Sequence, residues 1–330
     1  MEVEARLLRR SDVSQIVTGW NLCLPYDRIS RERFESIIFD DPNYEREGNL
    51  VATWNDKIIG FIAAVAREET AGLDGAGKAR EEDFGYIKGL FVLKNYEGKE
   101  VKGCLLEKAL RFLKSKGKKI ARVGEYTGRY FSPGIDIRYE EELRFFLDNG
   151  FEKVDVEEDV TIDLNAFQPT EYQRLAQQRI ELMGVAIKSY QTKFFDEMRR
   201  FAEKLDYPQW FPKDWELHFN ENCYTIVAVS KSDIVGWARF FKDSERWWFG
   251  PIAVLKEFRR KGIGTCLLLE AMLQMKTLGA PNVTAGWVDV PFYIKSNWKI
   301  SRRYIVLQKS LIGLDTKCMQ AIRGLKSSDT

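Results

Sequence analysis

Hydrophobic and polar positions follow the same order in the two halves of the chain, which indicates an internal repeat. The run IIGFIAAVA at 58–66 resembles IVGWARFF at 234–241, because each joins two β-branched residues, a glycine and an aromatic residue. Each run follows a short apolar segment and a polar turn, and each precedes another apolar run, at 84–92 or at 247–255. Short apolar runs separated by polar turns predict β-strands.

The same pattern continues with a helix in each half. An apolar run around Cys104 or Cys266 leads to a helix end at Gly117 or Gly279, where glycine is a preferred terminating residue. A further strand, a short helix and a last strand complete each half. The predicted order is therefore strand, helix, three strands, helix, strand, helix and strand, and it occurs twice.

These two copies predict an α+β fold of two tandem domains, each with a mixed, mostly antiparallel sheet flanked by helices. We expect the first domain at 1–165, a connector at 166–180, the second domain at 181–320 and a flexible tail at 321–330. The hairpin connection at 67–83 is rich in glycine, alanine and charged residues, and this composition favours an exposed, mobile loop over a lid.

Composition limits the function further. The 51 basic and 49 acidic residues leave a net charge of +2, so neither nucleic acid nor a membrane surface is an expected partner. One histidine and five dispersed cysteines without a CxxC pair do not supply a zinc site, and we expect no metal. No run approaches the roughly 18 apolar residues of a membrane span. The start of the chain lacks the apolar core of a signal peptide, so we expect a cytoplasmic protein.

A phosphate-binding loop is predicted at 258–268, FRRKGIGTCLL, where cations and a Gly-x-Gly precede the second apolar helix. Glycines expose backbone amides at the positive end of the helix dipole, and Arg259, Arg260 and Lys261 add charge around them, which favours a pyrophosphate. The loop is neither a P-loop nor a dinucleotide-binding fingerprint, since GxxxxGK[ST] is absent and Leu267 replaces the third glycine. Alone, the motif would fit a tight turn with solvated charges equally well.

The strand WWFGPIAVL before this loop, the motif Arg259-x-x-Gly262-x-Gly264 and the segment PFYIKSNW after it together resemble the GCN5-related N-acetyltransferase (GNAT) family. The resemblance covers 220–310 and, more weakly, 1–164, so the whole chain resembles tandem members of the family. It implies an N-acetyltransferase in which acetyl-CoA binds the loop and a splayed fourth strand. The cofactor-binding residues that it implies are Ile252, Ala253, Val254, Arg259, Arg260, Lys261, Gly262, Ile263, Gly264 and Thr265.

The loop of the first half lacks these features. Its aligned positions carry charged side chains, namely Glu97, Glu100 and Lys102 in place of Arg259, Gly262 and Gly264. Because carboxylates repel a dianionic pyrophosphate, we expect this half to bind coenzyme A poorly or not at all. It would then be a structural partner of an intact second half.

The resemblance also implies a tyrosine that reaches the coenzyme sulfur from the helix after the fifth strand. Tyr293 holds this position, while the first half has Phe146. A phenol with a pKa near 10 can protonate a departing thiolate, so Tyr293 is the candidate general acid. Glu245 and Asp289 are the candidate bases for the amine, although solvated turn acids fit both positions and an amine of modest pKa needs no base.

The expected function is acetyl transfer from acetyl-CoA to a primary amine by direct attack. We expect a small-molecule acceptor, such as an amino sugar, and a monomer or homodimer. Two alternatives remain open, namely a non-catalytic acyl-CoA-binding or scaffold protein and an acetyltransferase that acts on a protein amine. Nucleic-acid binding would depend on the basic run at 107–122, but such runs are usually solvated helix faces.

Overall fold

Two compact units make up the fold. The computed structural model describes residues 3–68, 81–96, 99–127, 129–205, 223–243 and 246–313. The first unit comprises Met1–Val156 and Tyr304–Thr330, and the second comprises Glu157–Arg303. Both contain helices and a sheet with parallel and antiparallel pairs, which confirms the predicted α+β class.

The first unit places helices between the strands of an open sheet. Its strands are β1 (Glu4–Leu7), β2 (Asn49–Trp54), β3 (Lys57–Ala66), β4 (Phe84–Val92), β5 (Ile120–Val123) and the short β6 (Ile135–Asp136). Its main described helices are α1 (Val13–Cys23), α2 (Arg31–Ile38), α3 (Lys99–Ser115) and α4 (Glu140–Asp148). Neighbouring strands from β1 to β4 pair antiparallel, whereas β4 and β5 run parallel.

The second unit follows the same order. After β7 (Glu152–Asp163), its strands are β8 (Val185–Ser189), β9 (Cys223–Ser230), β10 (Asp233–Asp243), β11 (Arg246–Val254), β12 (Asn282–Ala285) and β13 (Lys299–Ser310). Its described helices are α5 (Glu171–Leu182), α6 (Phe195–Glu203), α7 (Ile263–Thr277) and α8 (Val290–Ile294). The strands from β8 to β11 pair antiparallel, and β11 runs parallel to β12.

The last strand of each sequence repeat lies in the unit of the other repeat. β7 ends the first repeat, yet its residues Val160–Asp163 pair with β12 of the second unit. β13 ends the second repeat, yet its residues Leu307–Ser310 pair with β5 of the first unit. Neither repeat therefore completes its sheet with its own last strand.

Residues 171–180 of the predicted connector are helical. The side chain of Thr170 accepts a hydrogen bond from the backbone N–H of Gln173, and the Gln173 side chain accepts one from the Thr170 N–H. This capping box starts α5, and its buried residues Ala176 and Ile180 join the apolar core around α7. The stretch has its own start signal and apolar face, which explains why it forms a helix. The predicted domain bounds otherwise stay a prediction.

The core of the second unit lies on both faces of its sheet. On one face, Leu267 and Met272 of α7 pack against strand residues that include Phe240. On the other face, Phe201 of α6 packs against strand residues that include Trp237. The sheet is thus enclosed between the helix that follows the predicted loop and α6.

Several predicted features fall wholly or partly outside the described residues. The tail at 321–330 does so entirely, and the hairpin connection at 67–83 is described only at 67–68 and 81–83. Among the described residues, no helix has both the length and the apolar character needed to cross a membrane.

Candidate functional site

A gap opens along one edge of β11. Trp247 and Trp248 pair with Val283 and Thr284 of β12, and the pairing ends there. On its other edge, β11 stays paired with β10 as far as Val254. From Phe249 onward the backbone groups that face β12 therefore have no strand partner, and the strand splays as the resemblance implied.

The strand is irregular where this gap begins. Ala238 of β10 pairs with Ile252, but Phe240 pairs with Phe249, so Gly250 and Pro251 lie opposite Arg239 in a bulge. Gly250 has a φ of +128°, which favours glycine, and a Cβ added to it would meet no atom within 4 Å. Open space therefore borders β11 at the start of the gap.

The predicted loop leaves three amides unpaired at the start of α7. Gly262 precedes the helix with a φ of +98°, and its carbonyl accepts the first hydrogen bond, from the N–H of Cys266 at 3.0 Å. Among the described residues, no backbone carbonyl accepts from the N–H groups of Ile263, Gly264 or Thr265. These donors point out of the positive end of the helix, where an anion is favoured.

Close approach and backbone conformation disfavour a side chain at Gly262, whereas an added Cβ at Gly264 would make ordinary contacts. A Cβ on Gly262 would lie 3.1 Å from the Cβ of Ala176 on α5, and its left-handed backbone would be strained as well. A Cβ on Gly264 would lie 3.4 Å from Phe292 Cε2 and 3.8 Å from Val254 Cγ2. Gly264 is thus the point at which the loop, the end of β11 and α8 meet.

Exposed positive charge surrounds the free amides. The side chains of Arg259, Arg260 and Lys261 are exposed. Arg259 Nε donates to the carbonyl of Val254 at 2.9 Å, and Lys261 Nζ donates to the carbonyl of Glu257 at 2.8 Å. Thr265 is buried and its hydroxyl bonds Tyr172, so its contribution to an anion site is its backbone N–H.

Tyr293 lies beside this point, on α8. Its side chain is 4% exposed, and its ring packs edge-on against Phe249, Phe292 and Trp298. Burial, assisted by the nearby Asp289 carboxylate, raises the pKa of the phenol above its ordinary value. The hydroxyl therefore keeps its proton at neutral pH and can act as a donor.

The helix that carries Tyr293 ends as the corresponding helix of the first unit does. Asn297 has a φ of +65° where the first repeat has Gly150 with a φ of +79°. Asparagine tolerates this left-handed conformation better than most residues, so the helix end is kept without glycine. Phe146, aligned with Tyr293, is buried in its own unit.

The two candidate bases differ in what the structure describes. Asp289 is exposed, directly precedes α8, and accepts the N–H of Phe292 through its backbone carbonyl. Glu245 lies outside the described residues. The role of either carboxylate as a base stays a prediction.

A family model described as the Acetyltransferase (GNAT) family matches residues 15–125 and 187–293, which together exceed half of the chain. The chain belongs to the GNAT acetyltransferase family. The two matches fall in the two repeats, so the predicted tandem architecture is confirmed, and members of this family are acyltransferases. A comparison with curated protein sequences finds no match.

Solved structures of similar fold include other GNAT proteins. The glucosamine N-acetyltransferase region of a fungal multi-domain GH3 β-N-acetylglucosaminidase aligns with a TM-score of 0.75 and 18% identity, over 93% of this chain and 38% of that protein. This chain therefore spans well under half of that protein. A tandem GNAT protein from the clavulanic acid biosynthesis pathway aligns with a TM-score of 0.63 and 12% identity, over 94% and 99% of the two chains.

A third similar structure is that of Saccharomyces cerevisiae N-myristoyltransferase with bound myristoyl-CoA. It aligns with a TM-score of 0.55 and 13% identity, over 93% of this chain and 78% of that chain. At these identities, the structural matches establish the shared fold.

The first unit of this GNAT protein builds the equivalent of the loop differently. α3 begins at Lys99, two residues earlier than the alignment with α7 would place it, so Glu100 is helical where Gly262 is not. Lys102, aligned with Gly264, is largely buried and its ammonium donates to Glu142 at 2.5 Å. Glu97 lies outside the described residues. At the start of α3, the described residues Glu100 and Lys102 therefore carry side chains where the second unit has glycine.

A buried ion pair fills the corresponding bulge of the first unit. Lys88 aligns with Gly250 and lies between the paired residues Ile87 and Gly89. Its Nζ donates to Asp41 Oδ2 at 2.7 Å, and the hydroxyl of Tyr126 donates to Asp41 Oδ1 at 3.0 Å. Burial lowers the pKa of Lys88 to about 8, although Asp41 opposes this shift. The first unit therefore holds its own charges where the second has open space.

Three features of the two bulges were not predicted from the sequence, namely the Lys88–Asp41 ion pair, the bulge at Gly250 and the position of Arg239. The Lys88–Asp41 pair joins positions far apart in the chain, and periodicity does not reveal such contacts. Gly250 did carry a signal, since glycine inside a strand often marks a bulge. Arg239 carried another, because it is a lone charge within an apolar strand run.

Replacing Lys88 by methionine tests the ion pair through the pH dependence of the free energy of unfolding. The pKa of Lys88 is about 8 in the folded chain against an ordinary 10.5, so the unfolded chain binds more protons between these values and this group adds stability as pH rises. Between pH 8 and 10, the free energy of unfolding of the wild type should rise by about 2 kcal/mol relative to Lys88→Met. Tyr126 stays protonated over this range because burial raises its pKa.

Urea denaturation at several pH values measures this difference. Lys57→Met, which removes an exposed lysine of β3, should keep the pH profile of the wild type. Parallel profiles for the wild type and Lys88→Met would contradict a buried ammonium.

Proposed function

We propose that this protein transfers the acetyl group of acetyl-CoA to the primary amine of a small molecule, and that its second unit alone carries the chemistry. The observation behind this proposal is the meeting of three features around Gly264. These are the unpaired amides of α7, the open edge of β11 and the buried phenol of Tyr293 on α8.

Coenzyme binding would use backbone groups in the main. The N–H groups of Ile263, Gly264 and Thr265 suit the pyrophosphate, with Arg259, Arg260 and Lys261 supplying charge at the rim. The open edge of β11 around Ile252, Ala253 and Val254 suits the amide groups of the pantetheine arm, which pair with a free strand edge as another strand would. Acetyl-CoA supplies an activated thioester.

The transfer step would form a C–N bond and break the thioester C–S bond. Backbone N–H groups of β11 would stabilise the negative charge on the carbonyl oxygen as the amine attacks. The hydroxyl of Tyr293, which is protonated at neutral pH, would give its proton to the departing sulfur and would then regain one from solvent. The amine proton would pass to Asp289, Glu245 or solvent.

The proposal of a small-molecule acceptor is supported by similarity of fold. The fold is similar to that of a region called a glucosamine N-acetyltransferase, which makes an amino sugar a reasonable first acceptor to try. The open space at Gly250 also leaves room for a small amine.

Gly264→Glu tests the pyrophosphate assignment. Gly264 has no left-handed φ and its Cβ would make contacts of 3.4 Å and more, so the variant adds a carboxylate with little strain, unlike Gly262 at a φ of +98°. We expect acetyl-CoA affinity, measured by isothermal titration calorimetry, to fall by about 100-fold through charge repulsion.

Gly103→Glu is the matched control. Gly103 lies in the first turns of α3, and its Cβ would meet nothing within 4 Å. This variant should bind acetyl-CoA like the wild type. Unchanged affinity in Gly264→Glu would remove the loop as the pyrophosphate site.

Tyr293→Phe tests the general acid. The ring packing is kept while the hydroxyl proton is lost, so kcat with an active amine should fall by about 100-fold or more, and the Kd for acetyl-CoA should stay unchanged. Tyr224→Phe removes a phenol that stacks on Phe240 in the same unit and should leave kcat unaltered. Full activity of Tyr293→Phe would exclude its role as the acid.

A further inference from the structure

Arg239 places a cation inside an otherwise apolar sheet of the second unit. It lies on β10 directly opposite the β11 bulge of Gly250 and Pro251, where open space borders β11. Its side chain is partly buried and reaches Cys223 on β9. The first repeat has Ala63 at the aligned position, so this cation occurs in the unit with the open bulge.

The guanidinium has only a weak acceptor. Arg239 Nε and Nη2 donate to Cys223 Sγ at 3.1 and 2.6 Å, and a thiol sulfur accepts hydrogen bonds weakly. Within the described ranges, no carboxylate lies within ion-pair distance of Arg239. A partly buried guanidinium is usually matched by an anion, since its desolvation is costly otherwise.

A second polar group beside Arg239 is also unsatisfied. Thr225 pairs directly with Arg239 across β9 and β10. Thr225 is 8% exposed, and its hydroxyl has no hydrogen-bond partner in the described structure. Along β9, Cys223 and Thr225 share the face of Val227, which packs toward α6 and away from α7.

We infer that Arg239 and Thr225 bind an anionic group, a carboxylate or a phosphate, on the acceptor amine. This inference rests on the proposed function, because it places the acceptor at the open bulge of Gly250. A guanidinium and a hydroxyl side by side match the oxygens of such a group, and the sulfur of Cys223 orients the guanidinium without neutralising it. Arg239 is thereby a specificity-determining residue, and the acceptor is an amine that also carries a carboxylate or a phosphate.

Three acceptors of different charge test this inference. Glucosamine 6-phosphate carries a phosphate, L-glutamate carries carboxylates, and glucosamine carries neither. The wild type should acetylate at least one of the two anionic amines with a kcat/KM about 30-fold above that for glucosamine, and whichever amine is preferred identifies the group.

Arg239→Gln should remove this preference by lowering kcat/KM for the preferred anionic amine by about 30-fold, mainly through KM, with less than about a 3-fold effect on glucosamine. Arg239→Lys, which keeps the charge, should recover part of the loss. Arg246→Gln, which removes an exposed arginine of β11, is the matched control and should behave as the wild type.

Binding without turnover separates this inference from the proposed function. Calorimetry with coenzyme A present measures the Kd of each amine for the wild type and for Arg239→Gln. An Arg239-dependent Kd for an anionic amine supports the inference even if no acetylation occurs. Equal binding of anionic and neutral amines, or equal binding by wild type and Arg239→Gln, overturns it while leaving acetyl-CoA binding and transfer intact.

Discussion

The proposed site of the second unit depends on the unpaired backbone amides at the start of α7. A helix start cannot satisfy these N–H groups from within, so they need a partner from outside the helix. The left-handed Gly262 turns the chain into α7 over Ala176, and Gly264 keeps the surface beside the amides free of a side chain. Phe292 and Val254 both lie beside Gly264, and Tyr293 packs edge-on against Phe292 and against Phe249 of β11.

The first unit shows how the same fold behaves when side chains occupy these positions. Lys102 is paired with Glu142 at the helix start, and Lys88 is paired with Asp41 at the bulge. A buried ion pair is weak as a source of stability but leaves no vacancy for another charged group. At these matching places the first unit has paired side chains where the second has bare backbone and open space, and the proposed difference in coenzyme binding rests on this contrast.

The repeat, the order of elements and the loop could be predicted because they depend on local spacing. Strand and helix periodicity reveals the elements, and Gly262 and Gly264 mark a helix start with bare backbone. The exchange of β7 and β13 could not be predicted in this way, since alternation does not specify a strand's neighbour. The Lys88–Asp41 contact is likewise invisible to spacing, whereas the capping box at Thr170 is a local signal from which the start of α5 could have been predicted.

The central claim is that only the second unit binds the coenzyme, through the amides of Ile263, Gly264 and Thr265. Hydrogen exchange of the intact chain, resolved by amide with and without acetyl-CoA, measures this directly. The account predicts that exchange of these three amides slows by about 10-fold or more on binding, while the amides of 100–103 in α3 keep their rates. Slowing in α3, or no change at the start of α7, would contradict it.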